Sequence, residues 1–199
     1  MMTREENRTF MKNFFERYYK KQIEDDPILV KGVGIPPEML ADGANPDDEW
    51  NIWKLIPSTV TEKDFQVFEE THHVKLPECI KAFFSVYHYR FHTAIGRNDI
   101  GYPLYELERA YTHQLADNGY LPFGWDEDCF FIRCMDLSHL PEEEKCPIVE
   151  IDHEPFFDLQ CDAEQAGILI PREQLVPLMR PVAENFYAYL NGVYENRIR

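Results

Sequence analysis

The residues closest to an acid–base centre are Asp152, His153 and Glu154, consecutive in the chain. On a strand, neighbouring side chains alternate between faces, so the two carboxylates converge while His153 points away. Such a pair suits a hydrolase working through metal or water. No Gly-x-Ser-x-Gly elbow supplies a nucleophile, and a polar strand end followed by a turn explains the same three residues. The remaining histidines are His72, His73, His88, His92, His113 and His139. His88 and His92 stand four apart, a spacing zinc can use on a helix, but Tyr89 follows His88 where the zinc-protease pattern has Glu. His72 and His73 are adjacent, so on a helix their side chains diverge by about 100°. Gly32-Val33-Gly34 lacks the third glycine, the following helix and the lysine of a phosphate loop. Cys79, Cys129, Cys134, Cys146 and Cys161 are odd in number and form no Cys-x-x-Cys pair, which leaves buried free thiols in a reducing compartment. No metal and no cofactor is expected.

The acidic loops offer a different chemistry, that of recognition. Twenty Lys and Arg stand against 36 Asp and Glu, a formal net charge of −16. Such a field repels nucleic-acid phosphates and anionic lipid, and attracts a cationic protein. High solubility is its other consequence. Asp126, Glu127 and Asp128 form one acidic run, Glu142, Glu143 and Glu144 a second, and Asp152 with Glu154 a third. All three lie at ends of expected strands. If those ends coincide, they make one negative surface flanked by Trp125 and Phe156, suited to a Lys/Arg-rich partner.

The elements that position these loops are legible from spacing. Leu121–Trp125 and Cys129–Leu137 read as two strands joined by the acidic turn, and Cys146–Asp152 as a third, with Ile148, Glu150 and Asp152 on one face. Phe156–Leu159 reads as a further strand. Phe10, Met11, Phe14, Phe15, Tyr18 and Tyr19 form one stripe of an N-terminal helix over Thr3 to Lys21, with Thr3 and Glu6 as a capping box. Glycines and prolines make residues 28–49 an irregular connector. Thr61 starts a helix carrying Phe65 and Phe68; Pro77 starts another carrying Ile80, Phe83, Phe84 and Tyr87, ending near Tyr89 to His92. Leu104 to Gln114 favours helix. Pro171 or Arg172 opens a last helix, with Val182, Phe186, Tyr189, Leu190 and Val193 as its stripe.

The order of these motifs resembles the SUKH superfamily of Smi/Knr-type cell-wall assembly regulators and bacterial immunity proteins. The residues that carry the resemblance are Thr61–Glu69, Val74–Phe84 with Leu76-Pro77, the Leu121–Phe123 and Cys129–Ile132 hairpin, Pro147–Glu154 and Ala183–Leu190. Together they span about Trp50 to Glu195. The run Tyr87–His92 departs from the short Asn-Gly-type turn usual there, and the first 49 residues have no counterpart. The resemblance implies an α+β fold: a mixed, mostly antiparallel sheet with helices packed on one side, here with an N-terminal helical extension. Residues 1–49 are then helix and connector, and residues 50–199 the family domain.

For bacterial members the resemblance implies a non-enzymatic protein that neutralises a toxin, often a nuclease. A basic toxin domain would meet Trp125, Asp126, Glu127, Asp128, Glu142, Glu143, Glu144, Asp152 and Glu154. A regulatory or scaffold module, with the N-terminal helix as an added docking element, is the alternative, and the Asp152/Glu154 hydrolase a third. With no apolar signal core and no run of about 18 apolar residues, the chain is expected in the cytoplasm.

Overall fold

An aromatic stripe needs a surface to cover it. In the computed structural model, which describes residues 2–198, that surface lies inside the molecule. Helix α1 spans Arg4–Asp25. Its capping box is present: the Glu6 amide donates to Thr3 Oγ1 at 3.2 Å, and the Thr3 amide to the Glu6 carboxylate at 2.7 Å. Met11, Phe14, Phe15 and Tyr18 are buried. The Phe15 ring sits 5.1 Å from that of Phe83 and 4.6 Å from that of Tyr89, centroid to centroid. Burying one such ring contributes about 2–3 kcal/mol, so α1 belongs to the core it covers.

The connector is anchored by a short antiparallel pair, β1 (Lys31–Gly32) with β2 (Asn51–Ile52), next to the fully buried Trp53. Strand β3 (Ile56–Pro57) leads to α2 (Glu62–His72) and α3 (Glu78–Val86). The Phe68-Glu69 and Leu76-Pro77 motifs have a local cause. Glu69 accepts the Leu76 amide at 2.8 Å and pairs with Lys81 of α3 at 2.9 Å. Lys81 also reaches Glu62 at 3.2 Å, and Glu62 meets Arg4 at 2.8 Å. One buried ammonium thus joins α2 to α3 and, through Glu62, to α1. Helix α3 ends at Val86, short of the expected Tyr89 to His92, because Tyr87–Arg90 forms β4 between β3 and β5 (Arg97–Asn98).

Then follow α4 (Tyr105–Ala110) and α5 (His113–Ala116), two short helices where the sequence reads one over Leu104 to Gln114, because the backbone at Tyr111 and Thr112 is extended. Strands β6 (Tyr120–Trp125), β7 (Phe131–Asp136) and β8 (Ile148–Asp152) lead into α6 (His153–Ala166) and α7 (Arg172–Leu175). Strand β9 (Met179–Ala183) and α8 (Phe186–Tyr194) close the described chain. The main sheet has the order β6-β7-β8-β9, antiparallel throughout. The fold is α+β, as expected.

Two further elements correct the sequence reading. Phe156–Leu159 is helical, since Asp152 ends its strand by capping α6, accepting the Glu154 amide at 3.1 Å. The last helix starts at Phe186 instead of Pro171 or Arg172, because Met179–Ala183 pairs as an edge strand, where Pro181 is tolerated.

The sheet separates two apolar clusters, and helices cover both. Leu121, Phe123, Met135 and Ile148 pack with α1, α3 and α8. Tyr120, Ile132, Cys134 and Ile151 pack with residues of α5, α6 and α7. Along β6 the alternation is broken by a bulge between Pro122 and Gly124.

Phe15→Ala is expected to cost about 3–5 kcal/mol, read from urea unfolding. Deleting residues 3–21 is expected to abolish the cooperative transition. A truncated chain that still unfolds cooperatively would show that α1 is dispensable.

Candidate partner-binding site

The acidic turn of the β6–β7 hairpin is built around Asp126. Its carboxylate accepts the Phe131 amide at 2.7 Å, and its backbone N–H donates to the Phe131 carbonyl at 3.0 Å. The Cys129 amide returns to the Asp126 carbonyl at 3.2 Å, with Cys129 at a φ of +59°. Asp126 is therefore half-buried in closing the turn, while Glu127 and Asp128 face solvent.

The β8–α6 junction abuts this turn, because the register pairs Phe131 with Asp152. His153 fastens the two. Both its backbone N–H (3.0 Å) and its Nδ1–H (2.8 Å) donate to the Phe130 carbonyl. Around that imidazole, centroid to centroid, lie Phe157 at 5.6 Å, Trp125 at 6.1 Å and Phe130 at 6.2 Å. Phe130 is 56% exposed and Phe157 43%. An exposed aromatic cluster of this kind marks a surface suited to a partner. Asp126, Glu127, Asp128, Asp152, Glu154 and Asp158 all belong to the same two segments, so the rings sit among carboxylates. Phe156, expected to flank the acidic surface, is fully buried.

Trp125 reaches this cluster through the bulge. The register pairs Leu121 with Met135 but Trp125 with Ile132, so one extra residue in β6 transfers Trp125 to the α6 face. His153 was expected to face away. The switch from strand to helix at Asp152 brings it to the centre instead. No periodicity count detects either effect.

The Glu142–Glu144 segment does not join them. It connects β7 and β8 at the opposite end of the sheet, where Met135 pairs with Ile148 and the Asp136 amide donates to Pro147. Two of its carboxylates and one backbone carbonyl are also engaged. Glu143 receives the Glu78 amide at 2.7 Å and the Cys79 amide at 3.1 Å, an anion seated on the N-terminus of α3. Glu142 pairs with Lys145 at 2.6 Å, and the Glu144 carbonyl accepts the Asn185 side-chain amide at 3.0 Å. One contiguous surface from all three runs is therefore not formed.

Beside the hairpin turn opens a cleft lined by Trp53, Arg90, Arg97, Glu106, Arg109 and Trp125, among others. Arg109 donates to Glu106 at 3.3 Å and to Cys129 Sγ at 3.1 Å, and lies 5.4 Å from the centre of the Trp125 ring. Arg97 lies 3.8 Å from Glu106. Burial holds the Glu106 carboxyl above its ordinary range, opposed by those two guanidinium groups. The arginines are spread from position 90 to 109 with no motif spacing, so sequence reasoning missed them.

The histidines and cysteines fall elsewhere. His88 is on strand β4, not on a helix with His92, and is fully buried. Its Nδ1–H donates to the Asn98 carbonyl at 2.9 Å, and its Nε2 accepts the Thr59 amide at 2.9 Å. Burial lowers its pKa. Cys79, Cys134 and Cys146 are buried thiols, but Cys129 and Cys161 are exposed, against expectation. Among the described residues no group of three or more His, Cys, Asp or Glu is placed to hold a metal ion, and no helix is long and apolar enough to cross a membrane.

Two comparisons with known proteins bear on this arrangement. The model of the SMI1 / KNR4 family (SUKH-1) matches residues 59–192, more than half of the chain. No curated protein matches it.

Glu143→Gln is expected to lower stability by about 1 kcal/mol, since an anion at a helix N-terminus is lost. Glu142→Gln, at an exposed pair, is expected to change it by under about 0.5 kcal/mol. For His88 the unfolded chain takes up a proton near pH 6.5 that the folded chain refuses. Stability is therefore full above that pH and falls as pH drops toward the lowered folded value. Urea midpoints of the parent chain and His88→Gln between pH 7.5 and 5 are expected to converge as the solution is acidified. Parallel curves would mean that His88 does not titrate in this window.

Proposed function

We propose that this chain, which belongs to the SMI1 / KNR4 family (SUKH-1), is a non-enzymatic protein-binding module of the immunity type. It docks a cognate basic toxin domain on the acidic, aromatic end of its main sheet. The supporting observation is the exposed Phe130–His153–Phe157 cluster with Trp125 at its edge, set among Asp126, Glu127, Asp128, Asp152 and Glu154. Aromatic anchors supply desolvated contact area, and surrounding carboxylates select a cationic surface and accelerate encounter. The net charge of −16 acts in the same direction over longer range. A nuclease grips phosphate with a cationic face, which suits such an inhibitor. A cytoplasmic site of action fits this reading.

Two features weigh against the other readings. Asp152 spends its carboxylate on the α6 cap, so Asp152 and Glu154 do not stand as a free acid–base pair. The stripe of α1 is buried, which leaves a regulatory or scaffold module without its presumed docking helix.

The test is the association rate with a basic toxin domain encoded beside this chain, followed by surface plasmon resonance. Raising NaCl from about 0.05 to 0.5 M is expected to slow association about tenfold or more. Combined Glu127→Lys, Asp128→Lys and Glu154→Lys is expected to do the same, whereas Glu142→Lys at the other end leaves it within about twofold. Association indifferent to salt and to the triple reversal overturns the electrostatic docking surface.

A further inference from the structure

The cleft beside the hairpin turn has two lips, and each joins a tryptophan to a run of carboxylates. One lip is the turn itself, Trp125 followed by Asp126, Glu127 and Asp128. The other is the connector, where Asp47, Asp48 and Glu49 lead into Trp50. The Gly32–Asn51 pair ends the β1–β2 ladder, which places Val33 and Trp50 at its open end, lining the cleft. Trp50 is 57% exposed and Val33 48%. Both stand outside residues 59–192, the segment that the family model matches.

The connector lip is held in shape. The buried Asn51 side-chain amide donates to the carbonyls of Asn45 at 2.8 Å and Asp48 at 2.9 Å. Asn45 donates to the Asp48 carboxylate at 3.1 Å and accepts the Asp47 amide at 3.2 Å. Behind the lip, the Trp53 carbonyl accepts the Tyr19 hydroxyl of α1 at 2.5 Å. Asp48 therefore serves the loop, whereas Asp47, Glu49 and Glu127 are exposed and enter no ion pair with a described residue. The floor between the lips has the opposite sign. Arg97 and Arg109 lie 3.8 and 3.3 Å from Glu106, so two guanidinium groups share one carboxylate. A cationic side chain gains nothing by descending to that floor and is held at the lips.

We propose that the connector lip is a second contact for the basic partner, an inference that rests on the docking surface described under Proposed function. The partner straddles the hairpin turn. One cationic segment seats on the Phe130–Phe157 side, and a second crosses the cleft to Trp50 and Val33. Lysine and arginine suit this lip, because their stems lie along apolar surface while their heads meet a ring face and carboxylates. Asp47, Glu49 and Glu127 supply the counter-charges. The partner so described carries two separated Lys/Arg-bearing segments, and the N-terminal extension widens the surface that the family domain offers it.

The experiment is surface plasmon resonance of the full chain and its variants with the basic toxin domain encoded beside it. Trp50→Ala is expected to raise Kd about tenfold, mainly through faster dissociation, and Trp50→Phe, which keeps a ring, to stay within about threefold of the parent. Combined Asp47→Lys and Glu49→Lys is expected to slow association about threefold or more. The substituted side chains are exposed, so each variant is expected to melt like the parent. Where Trp50→Ala lowers the melt, Val33→Thr takes its place, with binding expected to weaken about threefold. The Glu127, Asp128 and Glu154 reversal separates this inference from the reading beneath it. If that reversal slows association while the connector variants leave both rate constants within about twofold of the parent, the lip is no part of the interface and the inference is overturned, with the docking surface intact. If neither set of variants alters binding, both are overturned.

Discussion

The arrangement depends on one extra residue in β6. With strict alternation, Leu121, Phe123 and Trp125 would all face the cluster formed with α1, α3 and α8. The bulge between Pro122 and Gly124 keeps the first two there and turns Trp125 across the sheet, against the second cluster. From that position Trp125 meets His153 on one side and Arg109 on the other. The hairpin turn thus borders both the aromatic patch and the arginine-lined cleft. A regular β6 would supply neither with its indole.

Charge is distributed by the same economy. Cations are taken up beside rings or carboxylates: Lys81 between Glu62 and Glu69, Arg172 over Tyr120 and against Asp136, Arg180 over Phe131, Arg17 over Tyr194. With 36 acidic residues against 20 basic ones, carboxylates are left over. Position decides what each does. Glu143 serves the N-terminus of α3 and Asp152 that of α6, where an anion is stabilised by unpaired amides. Glu127, Asp128 and Glu154 face solvent and remain available to a partner. An acidic run in the sequence therefore has no single meaning.

Much of the fold was legible because it rests on local rules. The Thr3/Glu6 and Thr61 caps, the stripes of α1, α2 and α3, the β6–β7 hairpin and the face alternation of β8 follow from spacing and capping chemistry. Tertiary effects defeated the rest. Tyr87–Arg90 reads as a continuing helix until β3 and β5 offer it strand partners, and Phe156–Leu159 reads as a strand until the Asp152 cap is recognised. Within the candidate site, the hairpin carboxylates were visible as an exposed acidic turn. The separation of Glu142–Glu144 depended on which end of the sheet each loop occupies. The central place of His153 and the clustering of Arg90, Arg97 and Arg109 depend on long-range packing that no motif encodes.

The central claim is that a protein partner seats on the end of the sheet formed by the hairpin turn and the start of α6. Amide hydrogen exchange of the chain alone and in complex with its basic partner tests it most directly. Added protection is predicted over residues 125–131 and 152–158, with residues 142–145 unchanged. Protection concentrated on 142–145 or on α1, with the hairpin turn unchanged, would contradict it.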